Sequence, residues 1–247
     1  MHHDQADFRI LGETPDLIAV DKPAGLLVHP SKPGGPRTLW DGLRDLLAFE
    51  IANSGQVSLI NRLDRETSGV VLVAKHSGAA RTAAMAMQDG LIRKRYLAIV
   101  QGHPAWDSLL VDEPIIRQGE VTSTKIHLKR IVHPAGAKAS TSFRLLQCYE
   151  SHAGPLALVE ARPITGRTHQ IRVHSSHIGH PILGDKIYGP SEDHYLEFIS
   201  TGWTSSLASR LFLARHALHS MSLSLVWGDS KLSWESPLPD DIRAFLC

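Results

Sequence analysis

Short apolar runs set between polar and glycine-rich punctuation dominate the chain, and most of them predict strands. Val57-Ser-Leu-Ile60 and Val70-Val-Leu-Val-Ala74 are short and rich in β-branched residues, the pattern of buried strands. Leu91 to Val100, Lys125 to Val132, Ser140 to Tyr149, Leu156 to Ala161 and Ser220 to Val226 read the same way. Helical spacing emerges in four places. Thr38 stands as an N-cap before the stripe Leu39, Trp40, Leu43, Leu46, Leu47 and Phe49. Ser77 to Gln88 is an alanine-rich helix closed by Gly90. A third helix is expected from about Arg167 to His177, opened by Thr165-Gly166 and stopped by Gly179, and a closing one from Pro239 to Leu246. Residues 31 to 37, rich in Pro and Gly, form the clearest loop. Strands grouped with interspersed helices, without regular βαβ alternation, predict an α+β fold.

Composition narrows the class without identifying it. A chain of 247 residues with 43% hydrophobic content can bury a sizeable core. No apolar run approaches the roughly 18 residues of a membrane span, and the N-terminus carries no signal-type segment. Cys148 and Cys247 are too far apart to suggest a disulfide framework, which points to a reducing, cytoplasmic setting. Neither an internal repeat nor a low-complexity tract is present.

Charge is nearly balanced, at a formal +1 from 26 cations and 25 acids. Polyanion binding needs a positive face rather than a positive molecule. Arg93-Lys94-Arg95, and Lys125 through Arg130 with His127 and His133, could supply one. Taken alone, each cluster reads first as ordinary solvated surface.

One polar turn stands apart from the rest. Asp64 lies between Arg62 and Arg65, with predicted strands on both sides. A carboxylate mounted at a strand end among cations stays ionised and is rigidly aimed. By spacing alone, an ion-paired connecting turn explains the segment just as well.

Asn61 to Lys75 resembles the R-L-D-x-x-T-S-G-x-x-L-x-A-K signature of the RluA-type pseudouridine synthases. Val20-Asp-Lys-Pro-Ala-Gly-Leu-Leu-Val-His-Pro30 is similar to that family's upstream element. Downstream, in family order, follow Arg95 to Gly102, Thr165-Gly-Arg-Thr-His-Gln-Ile-Arg-Val-His174, Pro181-Ile-Leu-Gly-Asp-Lys-Ile-Tyr-Gly189, Leu213 to His219 and the Pro237-Leu-Pro239 tail. Six such motifs and the Pro-rich tail, all in register, are far more specific than any one. The resemblance implies a long, mainly antiparallel, curved sheet with flanking helices around a central RNA-binding cleft. It covers the chain from about residue 8, so the expectation is one catalytic domain over residues 1–247 with no N-terminal S4 domain.

The same resemblance implies an isomerase that converts a uridine of ribosomal or transfer RNA into pseudouridine. The N1–C1′ bond breaks, the uracil turns, and a C5–C1′ bond forms; the product is an isomer, so neither cofactor nor metal is required. Asp64 matches the catalytic aspartate, acting as nucleophile at C1′ or as base at C2′. Tyr96 matches the tyrosine that stacks on the flipped uracil, where a lone strand tyrosine would otherwise be a core residue. Arg172 matches the arginine that pairs with the aspartate. Arg62 matches an arginine that enters the RNA stack as the base leaves. Arg93 and Lys94 are candidate phosphate contacts, as are Arg167, His169 and Gln170, expected on the first turn of their helix. Asn61 departs from the family, which usually has His there.

The implied partner is a compact RNA stem-loop, bound by a monomer without an obligatory protein partner. Two other classes compete. His169, His174, His177 and His180, with His216 and His219, could suggest a metal-dependent hydrolase, but no H-E-x-x-H or acid-completed triad accompanies them. An RNA-binding module that has lost catalysis would not need Asp64, Tyr96 and Arg172 together.

Overall fold

The computed structural model describes residues 7–30 and 34–246. His2-His3, the first half of the expected loop at 31–37 and Cys247 lie outside the described residues. The first elements are β1 (Arg9–Glu13), β2 (Leu17–Lys22), α1 (Leu39–Leu46), α2 (Ala48–Ala52), β3 (Ser58–Leu59), β4 (Ser68–Ala74) and α3 (Ser77–Gln88). Then come β5 (Arg93–Gln101), β6 (Ser108–Asp112), β7 (Ile115–Arg117), a 3-10 turn (Gln118–Glu120), β8 (Arg130–Val132), β9 (Ser140–Ser151) and β10 (Gly154–Pro163). Last are α4 (Gln170–His177), α5 (Asp193–Thr201), α6 (Ser205–Leu211), β11 (Leu218–Trp227), β12 (Ser230–Glu235) and α7 (Asp240–Arg243). The α+β expectation holds; β4 meets β11 in parallel, and the other registers described are antiparallel.

Two compact units divide the chain. The first runs to Lys94 and takes in His219–Pro237; the second comprises Arg95–Leu218 and the segment from Leu238. In the first, β2 lies antiparallel between β1 and β4. A short parallel contact, Ser68 to His219 and Gly69 to Ser220, joins β4 to β11, and β12 folds back on β11. Every residue of β4 is buried, which is why it reads as an uninterrupted apolar run. Leu17, Val70, Leu72, Leu223, Leu225 and Trp234 pack into one core, closed by Ala79 of α3. Helix α1 starts on a full capping box, with Thr38 and Asp41 satisfying each other's backbone N–H groups.

The second unit is built on an antiparallel sheet in the order β5-β10-β9-β6. Tyr96 faces Ala161, while Glu160 faces Leu97 on one side and Arg144 on the other. Alternation sends Tyr96, Ala161, Phe143 and Thr141 to the buried side, where α4 packs through Gln170 and His174 onto Thr141.

Three expected elements are corrected. The strand expected at Lys125 to Val132 shrinks to Arg130–Val132, because residues 124 to 129 form turns. Thr124 Oγ1 accepts from the Ile126 N–H, and the Ile126 carbonyl accepts from the Lys129 N–H. Helix α4 begins at Gln170, three residues late, because His169 takes a left-handed backbone with φ of 59°. The closing helix spans only Asp240–Arg243 before the chain turns.

Candidate active site

The turn that carries Asp64 is framed on three sides within the first unit. Asn61 is buried, and its amide mimics a strand: Nδ2 donates to the Val70 carbonyl at 3.1 Å and Oδ1 accepts from the Leu72 N–H at 2.8 Å. The side chain that departs from the family pattern thus pins the segment to β4. Leu63 is buried next, and the Asp64 carbonyl accepts from the Thr67 N–H at 3.1 Å, closing a tight turn over Arg65 and Glu66.

Lys22 ties this turn to the loop after β2. Its Nζ, fully buried, donates to the carbonyls of Pro23, Leu26 and Arg65 at 2.8, 3.0 and 3.1 Å. Gly25 and Arg65 add two reciprocal bonds, at 2.8 and 3.1 Å. The half-buried Asp64 side chain therefore rises from backbone fixed by its neighbours' hydrogen bonds. That is the rigidity a reacting carboxylate requires.

Gly69 explains the glycine of the motif. Its φ is +111°, and a Cβ there would sit 2.2 Å from the Ser220 carbonyl oxygen where β4 and β11 meet. Alongside, His219 Nε2 donates to the Ser236 carbonyl at 3.1 Å, so Nδ1 accepts from the Ser68 hydroxyl at 2.9 Å. Arg62 and Arg93 are exposed; Lys94 is half-buried, and burial pushes its ammonium pKa down.

In the second unit Tyr96 is buried on β5. Arg172 is also buried, and Asp185 holds it in a two-toothed grip: Nε to Oδ2 at 2.6 Å and Nη2 to Oδ1 at 2.9 Å. Asp185 Oδ1 accepts the Ile187 and Tyr188 N–H groups as well, both at 3.0 Å. Burial favours the neutral acid, but the Arg172 charge and these hydrogen bonds outweigh it and hold Asp185 well below the usual carboxylate range. The Arg172 guanidinium lies over the Tyr188 ring, 5.0 Å from its centre. The Tyr188 hydroxyl accepts from the Arg130 N–H at 2.9 Å and stands 2.8 Å from His169 Nδ1. One cluster thus ties α4 to the turn after it.

The expected group on the first turn of α4 is rearranged. Arg167 and His169 precede the helix, and Arg167 is exposed with Nε on the Lys138 carbonyl at 3.0 Å. Gln170 is buried and uses its whole amide internally. Its Oε1 accepts from the Thr165 hydroxyl and the Arg167 N–H, at 2.6 and 3.0 Å. Its Nε2 donates to the Ser140 carbonyl and Thr141 Oγ1, each at 2.9 Å. With every donor and acceptor engaged, Gln170 shapes the turn that presents Arg167 and His169.

Two of the remaining histidines have structural duties. His174 spans the Glu113 carbonyl and Thr141 Oγ1, both at 2.9 Å, and His180 Nδ1 meets the Gln101 carbonyl at 3.0 Å. Among the described residues no group of three His, Cys, Asp or Glu could hold a metal ion. Lys22, Asp185 and Tyr188 lie inside the quoted motifs, yet sequence reasoning gave them no role. A lysine ending an apolar strand before Pro, and an Asp within Leu183-Gly-Asp-Lys-Ile187, were the available signals.

The family described as RNA pseudouridylate synthase matches residues 16–177, from just before β2 to the end of α4. A ribosomal large subunit pseudouridine synthase D from Nitrosomonas europaea is 36% identical over 241 residues, 96% of this chain. An RNA pseudouridine synthase from Chloroflexus aurantiacus, itself uncharacterised, is 37% identical over 233 residues, 92% of this chain. The chain spans 64% of the length of each of these two relatives. The solved structure of human RNA pseudouridylate synthase domain containing 4 superposes with a TM-score of 0.73 at 27% identity, covering 96% of this chain and 91% of that one. With its motifs in order, its fold shared and well over half of its length matched, the chain belongs to the RNA pseudouridylate synthase family.

Proposed function

We propose that this protein isomerises a uridine of structured RNA to pseudouridine, with Asp64 as the catalytic carboxylate. The observation that carries the reading is the framed turn: Lys22, Asn61 and Gly25 fix the backbone around a carboxylate that the family motif assigns to chemistry. In the reaction the N1–C1′ bond breaks and a C5–C1′ bond forms, while the proton on C5 is lost and N1 gains one. Atoms and electrons balance within the uridine, so the carboxylate is the one reactive protein group required. It attacks C1′ or removes the C2′ proton, two routes the site's chemistry serves equally.

The target base must leave its stack to reach a buried tyrosine, and Arg62, exposed on the same segment as Asp64, is assigned to fill the gap. Tyr96 is assigned to stack on the uracil. Arg172 is assigned to the Asp64 carboxylate, its plane and charge set by Asp185. Arg93, Lys94, Arg167 and His169 are proposed RNA contacts. The name of the Nitrosomonas europaea relative favours large-subunit ribosomal RNA as substrate over transfer RNA. We place the reaction in the cytoplasm, carried out by a single chain without a protein partner.

The test is pseudouridine mapping of bacterial ribosomal and transfer RNA after incubation with wild-type protein and with Asp64→Asn. The expected result is new pseudouridine at a defined uridine with wild type and none with the variant. Equal yield from both would remove Asp64 from the chemistry.

A further inference from the structure

The solvent-facing side of the second unit's sheet gathers three arginines around one buried acid. Glu160, on the central strand β10, has a side chain only 2% exposed. Arg162 Nε meets its Oε1 at 2.8 Å, Arg144 Nε the same oxygen at 3.4 Å, and Arg95 Nη1 the other oxygen at 3.5 Å. Register puts all of them on one face: Arg144 is directly opposite Glu160, Arg162 is two residues along β10, and Arg95 is two before Leu97, Glu160's other partner. Burial favours the protonated acid, but Arg162 and then Arg144 outweigh it and keep Glu160 ionised.

A buried carboxylate needs compensation, and one guanidinium in a good fork supplies it. Arg144 and Arg162 alone exceed it by one positive charge. Arg144 and Arg162 remain 58% and 60% exposed, and each meets Glu160 through Nε, so among the described residues their Nη donors are not taken up by the protein. The guanidiniums converge on the one Glu160 carboxylate, so their charge is concentrated in a single patch on the sheet face. Leu110, 58% exposed and opposite Ser142, adds an apolar surface beside them, and exposed Asp112 bounds the patch farther along β6.

We propose that Arg144 and Arg162, organised by Glu160, form a docking surface for the phosphate backbone of RNA, distinct from the residues assigned to chemistry. That the occupant is RNA rests on the proposed function; that it is a polyanion rests on the charge excess and the exposure of the two guanidiniums. Glu160 is a positioning residue here: it sets the direction of the guanidiniums and touches no ligand.

The experiment uses the full chain and an in-vitro transcript of bacterial large-subunit ribosomal RNA, with binding measured by filter retention between 50 and 200 mM KCl. Each lost phosphate contact flattens the slope of log affinity against log salt by about 0.7 to 0.9. Arg144→Gln/Arg162→Gln should therefore flatten it by about 1.4 to 1.8, with affinity at 50 mM salt falling on the order of tenfold or more. Arg144→Lys/Arg162→Lys should restore most of the slope, since phosphate responds to charge. Wild-type affinity and slope in the Gln pair, with the fold intact by thermal melting, would overturn the proposal. If that pair does not fold, Arg144→Gln alone gives the same reading, because Arg162 still holds Glu160; an unchanged slope there overturns it equally. Pseudouridine yield in the same transcript separates the two readings. A flattened slope with no wild-type product leaves the docking surface standing and removes the proposed function. Wild-type product with unaltered Gln-pair binding does the reverse.

Discussion

Lys22 Nζ donates to the Arg65 carbonyl at 3.1 Å, so a fully buried ammonium grips the peptide next to Asp64. The same nitrogen closes on the Pro23 and Leu26 carbonyls, so it organises two loops at once. Lys22→Met keeps the length and removes the donors. The Arg65 carbonyl retains the Gly25 N–H, but those of Pro23 and Leu26 lose the donor Lys22 supplied. Charge-assisted bonds are worth about 1.5 to 3 kcal/mol each, so the loss should be on the order of 3 kcal/mol, or about 6 to 12 °C in melting temperature. Pseudouridine formation should fall further than stability accounts for, measured at a temperature where the variant is fully folded. A variant that melts lower yet turns over at the wild-type rate would make Lys22 structural only.

Strand β4 was legible because burial on both faces writes itself as an apolar run, and α1 and α3 because their caps are local. What escaped depends on contacts distant in sequence. Lysine is exposed by default, so nothing local announces that Lys22 ends buried among carbonyls. The start of α4 moved because Gln170 reaches back to Thr165 and across to Ser140 and Thr141, and no propensity encodes that. The expected partnership of Arg172 with Asp64 was read from a motif, whereas its grip on Asp185 needed coordinates.

Gly69→Ala should be severe. The new methyl meets the Ser220 carbonyl at 2.2 Å, and the φ of +111° is unfavourable for any L side chain. Since β4 and β11 are joined at that point, neither strand can move away cheaply. Soluble yield and melting temperature should both drop. Gly90→Ala, with φ of +71° and open space around its Cβ, isolates the backbone penalty and should cost about 1 kcal/mol. Similar losses for the two would exclude the steric clash.

Asp185→Asn should cost about 3 to 5 kcal/mol, because it leaves the Arg172 charge without its buried partner. The sign of the acid dependence follows from the depressed carboxyl. Its contribution is complete above the unfolded value near 4 and is lost as pH falls below it. Wild type should therefore lose stability faster than Asp185→Asn below about pH 4, measured by urea midpoint. Parallel curves there would mean that Asp185 is not ionised in the fold.

A separate loss should appear at milder pH. His174 is buried, with Nε2 donating to the Glu113 carbonyl and Nδ1 accepting from the Thr141 hydroxyl, a geometry that uses the neutral ring. Desolvation is the main reason its pKa is lowered from 6.5, and the Glu113 carbonyl opposes it only in part. A histidine whose folded pKa is depressed binds its proton more readily when unfolded. No penalty exists above about 6.5, and stability falls by up to about 1.4 kcal/mol per pH unit as pH drops toward the folded value. His194, also lowered chiefly by desolvation, titrates in the same direction, so wild type should lose urea midpoint steadily from pH 6.5 to 4.5. The buried carboxylates contribute little slope there, since their losses begin near their unfolded values. His174→Gln keeps a donor and an acceptor but cannot charge. It should start lower at pH 7.5 and lose clearly less than wild type by pH 4.5, the residue of the slope belonging to His194. If both proteins lose the same midpoint over that interval, the neutral His174 ring does not set the acid limb.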